Sequence, residues 1–220
     1  ESMGINRVVI RTADLGGDKL ADCFEMDKEN NPALGYRGIR ISLEKDEMFR
    51  TQLRAILRAS VYGNVSIMFP MITSLEEVKA AKVQLERAKK ELSANKTAYN
   101  KDIEVGVMIE TPAAVMISGE LAREVDFFSI GTNDLLQFTL GMDRTNAKID
   151  SYYNPHHPAL LKMIRIITNN GHLEEKRISI CGDLASDLSL TEYFLQIGID
   201  ELSVAPGQVL GLRKKIREIQ

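Results

Sequence analysis

The chain has 220 residues, of which 44% are hydrophobic and 27% charged, a composition typical of a globular protein with a sizeable core. Its net charge of −3 excludes a strongly basic surface, so we expect neither a nucleic-acid partner nor attraction to an anionic membrane. Two cysteines are too few for a disulfide framework, and no apolar run reaches the roughly 20 residues of a membrane helix. These features predict a cytoplasmic protein without membrane insertion.

Short apolar runs rich in β-branched residues predict strands at intervals along the chain. They cover residues 8–10, 65–69, 105–109, 125–130, 178–180 and 202–204. Because these runs are nearly continuous in apolar residues rather than alternating, they indicate parallel strands covered on both faces.

Helix signals lie between the predicted strands. Ser74 followed by Glu77 is a capping box, and an amphipathic pattern with apolar residues at helical spacing follows it. Thr111-Pro112 supplies an N-cap and a proline in the first turn, and Gly198 ends a helix that is predicted to begin near Asp187. Residues 46–60 form another amphipathic helix, whereas 141–158 read as a long loop.

Strands that alternate with helices predict an α/β fold, either a doubly wound sheet or a (βα)₈ TIM-type barrel. A doubly wound nucleotide-binding sheet calls for a G-x-G-x-x-G turn after an early strand, and the segment "DLGGDK" lacks that spacing. The barrel is therefore the preferred fold, as a single domain over residues 1–220.

Polar side chains follow several of these strands at the point where each strand ends. They are Arg11, Glu110, Asn133 with Asp134, and Cys181. In an α/β barrel the carboxyl ends of the strands share one face, where active sites are built. We therefore expect these residues to converge on one pocket.

The residue types in this set indicate chemistry on an anion. Glu110 and Asp134 are hard oxygen ligands that would leave Mg²⁺ positions open for water and substrate. Cys181 could give or take a proton at carbon. Each has a structural alternative as well: a carboxylate at a strand end caps the next helix, and a lone cysteine is a small buried hydrophobe.

Three arginines could hold phosphate or carboxylate with their planar guanidinium groups: Arg11, Arg37 and Arg144. Taken singly, each is more often a surface or salt-bridge residue. His156-His157 lie between prolines and are interpreted as an exposed loop pair rather than a metal or phosphohistidine site.

Seven ordered blocks carry a resemblance to a known family. They are "RTADLGGDK", "NPALGYRGIR", "RAILRAS", "MFPMITSLEEV", "VGVMIETPAAV", "VDFFSIGTNDLLQFTLGMDR" and "ICGDLASD". Together they resemble the phosphoenolpyruvate-binding C-terminal domain of enzyme I of the bacterial phosphoenolpyruvate:sugar phosphotransferase system. "DLGGDK" and "LGYRGIR" favour enzyme I over the related phosphoenolpyruvate synthases and pyruvate phosphate dikinases.

The resemblance implies a role for each matching residue. Those implied to bind phosphoenolpyruvate (PEP) are Arg11, Arg37, Asn133, Asp134 and Arg144; those implied to bind Mg²⁺ are Glu110 and Asp134; Cys181 is implied to be the catalytic acid/base. It also implies a (βα)₈ barrel, a homodimer formed through this domain, and phosphoryl transfer from PEP to a histidine of an N-terminal part, with release of pyruvate. A phosphocarrier protein would then take the phosphoryl group.

Two departures and one absence qualify the resemblance, and the absence is that of the family's phosphorylated histidine and carrier-binding domain, which this sequence does not match. Gly182 to Ser186 read Gly-Asp-Leu-Ala-Ser where the family usually has Gly-Glu-Leu-Ala-Gly, and "GMDRTN" also differs from the commoner sequence.

Counting 34–38 as a strand gives seven predicted strands, one fewer than a closed barrel has. We therefore expect a barrel without its first strand and helix, whose exposed edge beside Val8 favours association with another chain. A non-catalytic sensing or dimerisation module remains the alternative, although retention of Cys181 disfavours it.

Overall fold

A computed structural model of the chain describes residues 3–14, 16 and 29–219. Cys23 and most of the "DLGGDK" segment lie outside the described residues. The chain divides into two compact units, Glu1–Val107 and Met108–Gln220, and the boundary falls within the third strand.

The first unit contains parallel strands and the helices that follow them. Its elements are β1 (Val8–Arg11), α1 (Ile39–Glu44), α2 (Asp46–Ala59), β2 (Val65–Phe69), α3 (Leu75–Ala94) and the first half of β3 (Val105–Ile109). Strand β2 pairs in parallel with β1, with Val8 opposite Val65, and with β3, with Ile67 opposite Val105.

The second unit continues the same alternation. After the end of β3 come α4 (Pro112–Met116), α5 (Ser118–Glu124), β4 (Phe127–Gly131), α6 (Thr132–Leu140), α7 (Pro158–Leu173), β5 (Arg177–Cys181), α8 (Thr191–Gln196), β6 (Glu201–Leu202) and α9 (Val209–Ile219). Strand β5 pairs in parallel with β4 and β6, and Gly131 lies opposite Cys181.

Burial of the strands confirms the prediction of a parallel α/β fold. Every residue of β2, β3 and β4 is buried, as expected for continuous apolar runs in strands that are covered on both faces. In the first unit Phe49 of α2 packs edge-to-face on Phe69 with ring centroids 5.9 Å apart. Phe127, Phe128 and Ile180 are completely or almost completely buried in the second unit.

The structure confirms two of the predicted helix caps. The Glu77 amide donates to Ser74 Oγ at 3.2 Å and the Ser74 amide donates to Glu77 Oε2 at 3.0 Å, which forms the predicted capping box of α3. Thr111 Oγ1 accepts from the Ala114 amide at 3.1 Å and caps α4, as predicted. Among the described residues, no helix is both long and apolar enough to cross a bilayer.

Three differences from the sequence prediction exceed a shift of one or two residues at the end of an element. Residues 34–38 do not form a strand, because a 3-10 helix at Pro32–Leu34 and a left-handed Gly38 (φ 61°) turn the chain into α1. Helix α8 begins at Thr191 rather than near Asp187, because the Asp187 side chain accepts from the Ser189 amide and holds a turn there. The loop over 141–158 contains a 3-10 helix at Ala147–Tyr152. The described residues thus contain six strands, one fewer than predicted.

Candidate functional site

Two predicted anion-binding arginines of the first unit meet at one carboxylate. Arg37 lies between the 3-10 helix and α1 and is 2% exposed, and its Nη2 donates to both oxygens of Asp14, at 3.0 and 3.2 Å. Arg11, the last residue of β1, places Nη1 3.5 Å from Asp14 Oδ2, with 38% of its side chain exposed. Asp14 therefore fixes the positions of two guanidinium groups.

Gly38 allows the segment that carries Arg37 to approach this cluster closely. A Cβ on Gly38 would lie 2.8 Å from the Cβ of Met71 and 3.2 Å from Asp14 Oδ1, and its φ of 61° disfavours other residues. The turn at Gly38, where the sequence predicted a strand, therefore brings the Arg37 guanidinium to the Asp14 carboxylate.

Glu110 of the second unit follows β3 and is 1% exposed. A Cβ on Gly131, the last residue of β4, would lie 2.8 Å from Glu110 Oε2, so the carboxylate occupies the space that a side chain at 131 would need. The glycine therefore lets a buried carboxylate lie against the end of β4.

Asn133 and Asp134 lie in the first turn of α6, immediately after β4. Asp134 is 7% exposed. Asn133 Oδ1 accepts from the Asp183 amide at 3.1 Å, and Thr132 Oγ1 donates to the Cys181 carbonyl at 2.9 Å. These two hydrogen bonds join the start of α6 to the turn after β5.

The thiol of Cys181 lies between groups of the neighbouring strand. It donates to the Ile130 carbonyl with 3.4 Å between sulfur and oxygen, and its sulfur accepts from Ser129 Oγ at 3.5 Å. Cys181 is half-buried at the carboxyl end of β5, and the two contacts of its thiol are with β4.

Arg144 lies in the loop after α6. Its amide donates to Gln137 Oε1 at 3.0 Å, which anchors the start of the loop on the helix. Further along the same loop, burial raises the pKa of the Tyr153 phenol, and the negative charges of Asp183 and Asp134 add to this while Arg144 opposes it. Tyr153 therefore lies within electrostatic range of predicted site residues.

The two loop histidines have different partners. His157 Nδ1 accepts from the Ala159 amide at 3.2 Å and caps α7. His156 is exposed, as predicted for this loop, and its Nε2 lies 2.5 Å from Asp187 Oδ2. Hydrogen bonds from Ser189, and next the bond with His156, hold the pKa of the Asp187 carboxyl below its ordinary value of 3.8.

Several residues that contact predicted site residues within one unit were not identified from the sequence. Ser129 and Thr132 contact Cys181 only because β4 and β5 pair in one register, which no local pattern reveals. Asp14 could have been identified from the sequence, because an acid three residues after Arg11 can form an ion pair with it. In the part of the chain that the structure describes, no group of three or more histidine, cysteine, aspartate or glutamate side chains forms a metal cluster.

The fold and these side chains define the class: an α/β domain of parallel strands with carboxylates, an amide and a thiol at the carboxyl ends of the strands. The sequence matches the family described as "PEP-utilising enzyme, PEP-binding domain" over residues 1–220. The chain belongs to this family.

Curated relatives extend over nearly all of the chain. It is 46% identical over 219 residues to phosphoenolpyruvate-protein phosphotransferase of Bacillus subtilis, covering 100% of this chain and 38% of that protein. The relatives of the same name from Listeria monocytogenes and Buchnera aphidicola are 44% identical over 212 residues, covering 96% of this chain and 37% of that protein, and 46% over 218 residues, covering 99% and 38%. The chain thus spans less than two fifths of the length of these relatives.

Solved structures share the fold at low sequence identity. A citrate lyase from Burkholderia xenovorans matches with a TM-score of 0.56 at 20% identity, covering 76% of this chain and 53% of that one. A malate synthase from Haloferax volcanii matches with a TM-score of 0.55 at 14% identity, covering 76% of this chain and 50% of that one. These likenesses concern the fold alone.

Proposed function

We propose that the chain is the PEP-binding and catalytic domain of a phosphoenolpyruvate-protein phosphotransferase. The observation that carries this proposal is the 46% identity to a relative of that name over 219 residues, together with retention of every residue that the resemblance assigns to the reaction. The phosphoryl group of PEP would pass to a protein histidine, and enolpyruvate would become pyruvate.

The wider assignments belong to the same proposal. The domain would be a (βα)₈ barrel that forms homodimers in the bacterial cytoplasm, and a phosphocarrier protein would receive the phosphoryl group. The family match over residues 1–220 and the alternation of parallel strands with helices support this view.

The arginines supply positive charge for the substrate. Asp14 contacts both Arg11 and Arg37, so it orders two guanidinium groups whose planar donors suit phosphate and carboxylate oxygens. Arg144 would add a third cation, from the loop after α6. Phosphoryl transfer depends mainly on such positioning and charge neutralisation.

The donor set fits Mg²⁺. Glu110 and Asp134 are 1% and 7% exposed and offer carboxylate oxygens, the ligands that Mg²⁺ prefers, while two ligands leave positions for water and substrate oxygens. When bound, the ion would offset negative charge on the phosphate and the leaving enol oxygen.

Cys181 would protonate the enolpyruvate that leaves. The S–H bond would break as a C–H bond forms at the methylene carbon, and the enol oxygen would become the ketone of pyruvate. The sulfur would then carry the negative charge, and Ser129 Oγ, 3.5 Å away, can donate to the thiolate. Ser129 is thus suited to stabilise the product of the proton transfer.

Calorimetric titration of the protein's full chain with PEP, with and without Mg²⁺, tests the assignment. We expect heat of binding that depends on Mg²⁺ and that Glu110→Gln and Asp134→Asn each reduce strongly. Glu120→Gln is the matched control, because Glu120 is an exposed carboxylate on α5 of the same unit. Wild-type protein that does not bind PEP, or the same loss in all three variants, would contradict the proposal.

A further inference from the structure

Two loops of the second unit carry predicted site residues. The first, residues 141–157, joins α6 to α7 and contains Arg144; we refer to it as the Arg144 loop. The second, residues 182–190, joins β5 to α8 and directly follows Cys181; we refer to it as the Cys181 loop. Neither loop contains a strand or an α-helix, and hydrogen bonds to the side chains of Gln137 and Asn133 on α6 attach one residue of each loop to that helix.

One hydrogen bond joins the far ends of these loops. His156 of the Arg144 loop places Nε2 2.5 Å from Oδ2 of Asp187 in the Cys181 loop. The other oxygen, Oδ1, accepts from the amide and hydroxyl of Ser189 at 2.9 and 2.7 Å. These bonds hold the carboxylate in place independently of His156. The histidine thus binds an ordered acceptor rather than a freely rotating side chain.

The Arg144 loop is anchored at its start by Gln137, whose side chain holds the Arg144 amide at 3.0 Å. Tyr153 lies between Arg144 and His156 in this loop. Burial raises the pKa of its phenol, and the negative charges of Asp183 and Asp134 raise it further. The hydrogen bond of His156 to Asp187 therefore attaches the last part of the Arg144 loop to the Cys181 loop.

A second histidine and aspartate pair in the same unit offers a direct comparison. His172 Nε2 lies 3.0 Å from Asp200 Oδ2, and the side chains are 39% and 41% exposed, against 46% and 28% for His156 and Asp187. His172 is near the end of α7, and Asp200 also accepts from the amide of Ile178, near the start of β5. This pair has the same chemistry but lies at the opposite ends of the strands from Cys181.

We propose that the hydrogen bond between His156 and Asp187 holds the Arg144 loop against the Cys181 loop and makes His156 a positioning residue for the binding of the substrate anion. His156 acts through Arg144 and does not touch the substrate. The inference rests on the proposed function, since it concerns PEP as the anion, but it assigns a role to a residue outside the motifs of the resemblance.

The test measures PEP affinity by calorimetry on the full chain in the presence of Mg²⁺. We expect His156→Leu to raise the dissociation constant about three- to tenfold, the range produced by loss of one hydrogen bond to a partly exposed charge. His156→Gln should restore affinity to near wild type, because the glutamine amide nitrogen can take the place of Nε2. His172→Leu, the matched control, should leave affinity unchanged.

A double-mutant cycle separates positioning from general destabilisation. In an Arg144→Lys background, which keeps a cation, His156→Leu should have little further effect on affinity, whereas independent effects would multiply. Should His156→Leu fail to fold, His156→Asn serves instead, because its shorter side chain stays polar but does not reach Asp187.

The outcomes distinguish the two proposals. If wild-type protein does not bind PEP, the proposed function is wrong. If wild-type protein binds PEP and His156→Leu binds it equally well, the positioning role is wrong while the function stands. Equal losses for His156→Leu and His172→Leu, or losses that multiply with Arg144→Lys, would likewise overturn the positioning role.

Discussion

Gly182 has the backbone conformation on which the geometry around Cys181 depends most directly. Its φ of 89° and ψ of −174° lie in a region that is essentially restricted to glycine. A Cβ at this position would lie 2.6 Å from Thr132 Oγ1 and 2.9 Å from Asn133 Oδ1. Gly182→Ala therefore strains the backbone and drives a methyl group into two side chains that hold the start of α6 to the turn after β5.

The magnitude follows from these two effects. A residue other than glycine in this region costs about 1–3 kcal/mol. Displacing Thr132 and Asn133 weakens the bonds to the Cys181 carbonyl and the Asp183 amide, each contributing about 1 kcal/mol. We expect Gly182→Ala to lower the free energy of unfolding by about 2–5 kcal/mol in total.

Urea denaturation followed by circular dichroism measures this loss, since the chain has no tryptophan. Two other glycines separate the contributions. Gly141→Ala introduces a residue at φ 62° with no atom within 4 Å of the new Cβ, so it reports strain alone, at about 1 kcal/mol. Gly119→Ala, in α5 and equally free of contacts, should be neutral or stabilise by up to about 1 kcal/mol. A loss at Gly182 no larger than at Gly141 would refute the steric argument.

Two further predictions concern protons. Cys181→Ala should abolish exchange of the methyl protons of pyruvate with solvent deuterium, measured by NMR, while PEP affinity is spared; normal exchange would exclude the acid/base role. For Asp187, hydrogen bonds from Ser189 lower the pKa in the folded state, so their contribution to stability is complete above the ordinary value of 3.8 and is lost as the pH falls through the lowered pKa. Stability measured in urea should therefore decrease more steeply below pH 3.8 in wild type than in Ser189→Ala, and parallel curves would contradict this.

The elements that were predicted accurately depend on local signals. β2 and β3 have the same bounds that the apolar runs gave, because uninterrupted apolar residues have few alternatives to a doubly covered strand. The caps at Ser74 and Thr111 were equally predictable, since each is formed by residues within three positions of one another. Such features need no knowledge of the rest of the fold.

The features that were missed depend on tertiary partners. Residues 34–38 contain apolar and aromatic residues and suggested a strand, but the turn at Gly38 packs on Met71 and Asp14, which are distant in sequence. The start of α8 was placed too early because an acid before an apolar run resembles an N-cap; Asp187 instead forms a turn with Ser189 and binds His156. In both cases a local pattern had two solutions, and long-range packing selected one.

The site residues also combine features with local sequence signals and features that depend on tertiary partners. The side chain of Asn133 is an example. The resemblance implied that Asn133 binds the substrate, but an amide has a donor end and an acceptor end, and sequence does not say which would face the substrate. The structure uses Oδ1 to accept the Asp183 amide, so the two N–H donors lie at the other end of the side chain. Donors suit an anion, and here the turn after Cys181, which depends on Gly182, fixes the end of the amide that is presented. The orientation of the Asn133 amide therefore depends on the turn after Cys181, whereas β4 holds the thiol.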